Sequence, residues 1–209
     1  MQELILENGK MFYEKEYDGG GSIFGINALK DPNIKKHIKK GRILEMCSGP
    51  GFMGFHLNFE GFADELVLAD INAYNRKSIN QTIDENNLTN VQFVHSNVFL
   101  SLSDYGVFDT IVSNPPHFKT PKTNGYKTLI EQYISLDKDM ELHKTFFEEV
   151  IPFIHNESKI ILVENSEGVT GDDIIEMASN KFDIEITEPN KFGWEGTSTY
   201  YCAILQLKK

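Results

Sequence analysis

Residues 42–55, Arg-Ile-Leu-Glu-Met-Cys-Ser-Gly-Pro-Gly-Phe-Met-Gly-Phe, read as a short apolar strand, an acidic residue, a glycine-rich turn and the start of an amphipathic helix. Gly49 and Gly51 let the backbone come close to a ligand, and a helix beginning there adds free N–H groups and the positive end of its dipole. The next apolar stretch, residues 65–70, ends in Asp70. That is about the 20-residue spacing at which a dinucleotide fold grips ribose hydroxyls with a carboxylate. Gly49, Gly51 and Gly54 also satisfy the Gly-x-Gly-x-x-Gly spacing of such a site. Glu45, however, stands immediately before the loop, where a pyrophosphate would meet its negative charge. A carboxylate there suits a ligand with a cationic amino-acid end.

Residues 108–118, Phe-Asp-Thr-Ile-Val-Ser-Asn-Pro-Pro-His-Phe, form a second strand that stops abruptly. Proline lacks an N–H and fixes φ, so a strand through Ile111 and Val112 must end at Asn114-Pro115-Pro116. The residue before a proline is pushed out of the helical region. Asn114 is thus held extended at the carboxyl edge of a sheet, where open α/β folds bind their ligands. There its side-chain carbonyl and the backbone carbonyl of Pro115 can accept hydrogen bonds from a substrate NH2, presenting a planar nitrogen to an electrophile. Taken alone, the stretch reads equally well as a strand followed by a Pro-Pro loop.

In this order the two motifs resemble those of the class I S-adenosylmethionine-dependent methyltransferases, over roughly residues 40–165. The first motif of that family is a strand followed by acid-x-Gly-x-Gly-x-Gly, and here Cys47 takes the place of the first glycine. Asn-Pro-Pro-aromatic marks the branch that methylates amide or amine nitrogens. That branch includes the HemK/PrmC glutamine methyltransferases, adenine-N6 enzymes and the small methyltransferase domains of RNA enzymes. Here His117 fills the slot after the prolines and Phe118 follows. The resemblance implies an α/β fold, a Rossmann-like doubly wound sheet of seven strands in the order 3-2-1-4-5-7-6 with the last strand antiparallel. It implies S-adenosyl-L-methionine as cofactor, held by Glu45, Cys47, Ser48, Gly49, Gly51, Asp70, Ile71, Asn97, Val98 and Asn114. Asn97 would accept from the adenine amino group, although an Asx turn ending a strand explains it too. Asp70 would take the ribose hydroxyls, and Asn72 the capping of the following helix. Phe24 either packs on the cofactor or enters the core. Asn114, Pro115, Pro116 and His117 would form the catalytic set, with His117 stacking on the substrate or accepting a proton. Phe118, Lys119 and Tyr126 would contact the substrate.

Composition fits a single compact domain; the resemblance implies residues 41–209 as the methyltransferase unit and residues 1–40 as an extension contributing to a lid over the site. The chain of 209 residues is 40% hydrophobic and 24% charged, ordinary globular values. No apolar stretch reaches bilayer length and the N-terminus lacks a signal-peptide pattern. Cys47 and Cys202 are read as free thiols of a reducing cytoplasm, and the six histidines show no metal-ligand spacing. A net charge of −11 disfavours nucleic acid, which draws its affinity from Lys and Arg. Lys119, Lys122 and Lys127, which follow the Pro-Pro motif, form either a solvated loop or a substrate-facing lid. The basic run from Lys35 to Arg42 reads as a helix surface.

A strand or hairpin is expected within 2–14, a turn over 18–25 and a helix over 31–40, with Asp31 capping it and Pro32 in its first turn. Strands are expected at 42–46, 66–70, 91–95, 108–113, 158–164, 182–187 and 199–207. Helices at about 51–59, 73–87, 140–155 and 171–181 alternate with them, which implies a mainly parallel sheet. Residues 119–139 run long for an α/β connection. Tyr126, Leu129, Ile130 and Tyr133 share a helix face there, directed at the substrate or at the core. Residues 192–198 shape the pocket or simply close a hairpin.

The leading expectation is methyl transfer to an amide or amine nitrogen of a small molecule, peptide or protein. About 41 residues precede the first motif, too few for the helical domain with which glutamine methyltransferases grip a protein. RNA or DNA adenine-N6 methylation is the alternative within the enzyme class. A cofactor-binding partner subunit and a nicotinamide-dependent oxidoreductase are the others.

Overall fold

A computed structural model describes residues 1–17, 22–121, 125–187 and 199–209. In chain order it contains a hairpin of β1 (Gln2–Leu6) and β2 (Gly9–Tyr13), then α1 (Ser22–Lys30), α2 (Pro32–Lys35), β3 (Gly41–Met46) and α3 (Phe52–Phe59). There follow β4 (Ala63–Asp70), α4 (Arg76–Glu85), β5 (Val91–His95), β6 (Phe108–Ser113), α5 (Leu129–Ser135) and α6 (Glu141–Glu149). The chain ends with β7 (Ile154–Asn165), α7 (Gly171–Ala178), β8 (Phe182–Ile186) and β9 (Tyr200–Leu207). The large sheet has seven strands in the order β5-β4-β3-β6-β7-β9-β8. Five neighbouring strands, β5 to β7, are parallel, and β9 runs antiparallel to both its neighbours. This is the strand order, with its antiparallel strand, that the resemblance implies.

Strands buried on both faces carry apolar residues at successive positions, and the pleat deals them alternately to two cores. Ile43, Leu66 and Leu68 enter one cluster with Phe55 and Leu29. Leu44, Val67 and Ala69 enter the other with Phe108, Ile111 and Phe146. Met11, Phe24, Ile34 and Ile38 belong to the first cluster, so the segment before β3 packs on the same core. Its hairpin is tied to α4, where Phe12 N donates to Thr82 Oγ1 at 2.9 Å and Asn86 brackets Lys10.

Local signals explain most boundaries. Asp31 caps α2 by accepting from Asn33 N, with Pro32 in the first turn, and Asn72 caps the turn before α4 by accepting from Tyr74 N. Thr170 and Asp173 form a capping box on α7. Three expectations need correction. Residues 22–25 are helical, because Phe24, Ile26, Ala28 and Leu29 gain a buried face; residues 18–21 lie outside the described residues. The helix expected over 140–155 ends at Glu149. Pro152 follows in a short 3-10 turn, and β7 starts at Ile154, paired with Phe108. The helix expected over 31–40 stops at Lys35. The basic run that follows lies away from the strands' carboxyl ends and is matched by acids: Lys35 with Glu60, Lys40 with Asp64, Arg42 with Glu65.

Register completes the scaffold. Met46 lies beside Ala69 and Ser113, and Asp70 beside His95. The carboxyl ends of β3, β4, β5 and β6 therefore finish at one edge, on both sides of the point where strand order reverses.

Candidate active site

A cavity of about 550 Å³ opens at that edge, a size typical of small-molecule and cofactor sites. Its floor is the loop after β3. The backbone has positive φ at Cys47, Gly49 and Gly51, at +54°, +49° and +88°. Glycine takes such angles freely, and Cys47 holds one without that freedom. The turn is fastened on both sides: Ser48 N donates to Ala69 O at 3.0 Å, and Gly49 N to Asp70 Oδ2 at 2.7 Å.

Glu45 ends inside this turn. Its two carboxylate oxygens accept from Met53 N at 3.2 Å and Gly54 N at 2.7 Å, the orphan donors of the first turn of α3. Burial is the larger effect and pushes its pKa up to about 8, with the nearby charge of Asp70 adding to it and the two backbone bonds opposing. Asp70, at the end of β4, accepts from Gly49 N and from Asn72 N, the latter at 2.7 Å. Burial raises its pKa against those hydrogen bonds. The Cys47 thiol is also pushed up by burial.

On the far side of β3, Asn114 and the two prolines line the cavity. Asn114 Oδ1 is buried and has no hydrogen-bond partner among the described residues. An unpaired buried carbonyl is costly, so one that lines a cavity marks a place for a ligand donor. His117 comes next, 8% exposed, with Nδ1 at 3.3 Å from Glu164 Oε2. Gly168 packs directly on it: a Cβ there would overlap the His117 carbonyl oxygen.

The cavity brings together most residues singled out in the sequence: Glu45, Cys47, Ser48, Gly49, Asp70, Ile71, Asn97, Val98, Asn114, Pro115, Pro116 and His117 all line it. Gly51 does not; it is the residue before α3, packed against Leu68 and Phe55. Phe24 is 5% exposed and stacks on Tyr200 with ring centroids 4.4 Å apart, so it joins the core and not the cavity. Phe118 uses its backbone instead, donating to Ser135 O and accepting from Asp137 N. Lys119 is drawn away by an ion pair with Asp173 at 2.8 Å. Tyr126 is half-buried and does not line the cavity. Lys127 is exposed; Lys122 and residues 192–198 lie outside the described residues. Of the helix face expected after the Pro-Pro motif, Ile130 and Tyr133 line the cavity, together with Ile134, while Leu129 is exposed.

Several lining residues were not anticipated. Tyr17 and Tyr74 stack across the mouth at 6.3 Å, Tyr74 being 73% exposed. Tyr200 closes the side near His117. Glu164, which lies behind the wall and does not line the cavity, had a visible signal, a carboxylate inside the apolar run Ile160-Ile-Leu-Val-Glu-Asn165 of β7. It is completely buried and accepts from His143 Nε2 at 2.9 Å, while His143 Nδ1 meets Asp137 Oδ2 at 2.6 Å. Among the described residues no cluster of metal-ligating side chains is present.

Comparison with known proteins agrees with this geometry. A family model described as "Methyltransferase small domain" matches residues 3–145. Ribosomal RNA small subunit methyltransferase C of Pasteurella multocida is 35% identical over 106 residues, 51% of this chain and 29% of that protein. Release factor glutamine methyltransferase of Leptospira interrogans is 27% identical over 124 residues, 57% of this chain and 43% of that protein. The chain thus spans less than half the length of either relative. A Thermus thermophilus 16S rRNA N2 methyltransferase (RsmC), solved with AdoMet and guanosine, has the same fold. Its TM-score is 0.64 at 15% identity, covering 99% of this chain and 50% of that one.

Proposed function

Because this chain belongs to the methyltransferase small domain family, whose cofactor is S-adenosyl-L-methionine, we propose that it methylates a planar amide or amine nitrogen of a small molecule, peptide or protein. The observation that carries this reading is the buried Oδ1 of Asn114 in the wall of the cavity, unpartnered among the described residues. An oxygen so placed accepts N–H and rejects a bare acceptor, so it selects a nitrogen that carries hydrogen. The same cavity fits the cofactor. Glu45 and the Cys47–Gly49 turn suit its cationic amino-acid end, Asp70 its ribose hydroxyls, and Asn97 with Val98 its base.

When bound, the cofactor supplies a methyl group already activated on a sulfonium. What remains for the chain is alignment in a dry site, the contribution of proximity and orientation. Asn114 Oδ1 and the Pro115 carbonyl hold the hydrogens of the acceptor nitrogen and leave its lone pair aimed at the methyl carbon. The aromatic rim of Tyr17, Tyr74 and Tyr133 gives flat apolar surface for the acceptor. The net charge of −11 and the pairing of Lys119 with Asp173 leave little to attract a phosphate backbone. Two free cysteines support a reducing cytoplasm as the place of action. No described helix is long and apolar enough to cross a membrane.

A second reading is favoured by the ribosomal RNA methyltransferases among the relatives. An exocyclic amino group of an RNA base offers the same planar NH2 to Asn114. The test uses labelled cofactor with separate pools of metabolites, proteins, tRNA and rRNA. Label in metabolites or proteins, insensitive to salt, supports the first reading. Label only in RNA, lost with a log–log salt slope of about −0.7 per neutralised phosphate, moves the assignment to the second.

A further inference from the structure

Behind the cavity wall runs a chain of four ionisable side chains from four separate places in the sequence. His117 Nδ1 meets Glu164 Oε2, His143 Nε2 meets Glu164 Oε1, and His143 Nδ1 meets Asp137 Oδ2, at 3.3, 2.9 and 2.6 Å. Glu164 and His143 are 0% and 1% exposed. Both ring nitrogens of His143 face carboxylate oxygens, and a carboxylate only accepts, so both must carry hydrogen. His143 is therefore an imidazolium between two carboxylates. Burial alone would lower its pKa, but the charge of Glu164 and the bonds to Asp137 and Glu164 outweigh it and raise the value to about 10. The Glu164 charge adds to burial in raising the pKa values of Cys47, Tyr200, Tyr201 and Cys202. Among the described residues His143 and His117 are the groups that hold its own pKa down.

The chain also has an anchor at each end. Asp137 caps α6 by accepting from Leu142 N and His143 N. Asp137 N donates to Phe118 O, the residue after His117. The segment carrying α5 over the cavity is thereby joined to the Pro-Pro loop.

We propose that Glu164 and His143 are positioning residues for methyl transfer: Glu164 holds His117 with the proton on Nδ1, which leaves Nε2 as the acceptor of the proton lost by the substrate nitrogen, and His143 holds Glu164. This deepens the nitrogen-methylation reading above and rests on it. The balance is simple. The nitrogen lone pair forms the N–CH3 bond while the S–CH3 bond breaks and its electron pair stays on sulfur. The methylated nitrogen is then cationic, and one of the hydrogens held until then by Asn114 Oδ1 or the Pro115 carbonyl passes to His117 Nε2, where the resulting imidazolium is stabilised by Glu164. An amide or aromatic amine holds its lone pair by conjugation, so it benefits from an acceptor in a way a basic amine does not.

Two measurements on the full chain test this. The first is a long-range proton–nitrogen correlation spectrum of histidine-labelled protein, with His117→Gln and His143→Gln used to assign the two rings. The expected result is neutral His117 protonated at Nδ1 and His143 protonated at both nitrogens. A neutral His117 protonated at Nε2 overturns the proposal, and this readout needs neither acceptor nor cofactor. The second is a double-mutant cycle with whichever acceptor pool takes label in the assay above. Glu164→Gln should lower kcat by about 10- to 100-fold, within the roughly 10²- to 10⁴-fold that positioned proton transfer contributes. KM and S-adenosylhomocysteine affinity should stay within twofold. In the His117→Gln background the same change should have no further effect on kcat, and additive losses would sink the idea. Should Glu164→Gln not fold, the wild-type spectrum decides alone. Should no pool take label while the His117 proton sits on Nδ1, it is the nitrogen-methylation reading that fails.

Discussion

Glu45 offers a test that needs no knowledge of the acceptor. Its carboxyl is buried on the amino end of α3 with a pKa near 8, so the ligand-free protein holds it mostly neutral at pH 7. An ammonium group arriving beside it stabilises the ionised form, and binding must then release a proton. With a pKa of about 8, the group is roughly 1% ionised at pH 6 and about half ionised at pH 8. If only the ionised form binds well, affinity for S-adenosylhomocysteine rises roughly 50-fold over that range, about 2.3 kcal/mol. Calorimetry in two buffers of different ionisation enthalpy counts the proton directly, and close to one should be released near pH 6.5. Glu45→Gln keeps an oxygen for Gly54 N but cannot ionise, so its affinity should be lower and independent of pH. A flat profile in the wild type, or the same slope in Glu45→Gln, would refute the reasoning.

Asp70→Ala removes a charge-assisted hydrogen bond worth about 1.5–3 kcal/mol and should weaken S-adenosylhomocysteine binding by roughly 10- to 150-fold; unchanged calorimetric affinity would contradict the ribose assignment. Asn114→Ala should lower kcat by about 100-fold or more while leaving cofactor affinity nearly intact, and equal losses in both would indicate a structural role. Gly168→Ala pushes a methyl into the His117 carbonyl and should cost about 1–3 kcal/mol in denaturant unfolding; an unperturbed variant would mean the loop yields freely. His143 has its folded pKa raised to about 10, so the stability it contributes is complete below about pH 6.5 and is lost as pH climbs towards 10. The gap in Tm between wild type and His143→Gln should narrow across that window, and a gap that widens would reverse the assignment.

The fold and much of the cavity lining were legible in the sequence because their signals are local. A strand, an acid and a glycine turn occupy consecutive residues, and Pro115-Pro116 forces the end of β6 wherever β6 lies. Alternating strands and helices with those turns leave few sheet orders open, and the observed order matches. Misplaced boundaries were those where a distant surface decided. Residues 22–25 became helix because Phe24 and Leu29 found a core to enter, and of the two places open to Phe24 the core, stacked on Tyr200, is the one it takes. Lys119 read as part of a solvated loop or a substrate-facing lid, and the fold brings Asp173, from α7, to within 2.8 Å of it. The pairing of the charged groups behind His117 was invisible to any local reading. Glu164 stands out as a carboxylate in an apolar strand, but its partners do not: Asp137 and His143 lie just before and within α6, and only the packing of that helix against the sheet joins the three into one buried ion network. Local backbone preference is encoded residue by residue; the pairing of buried charges depends on which elements the tertiary structure sets side by side.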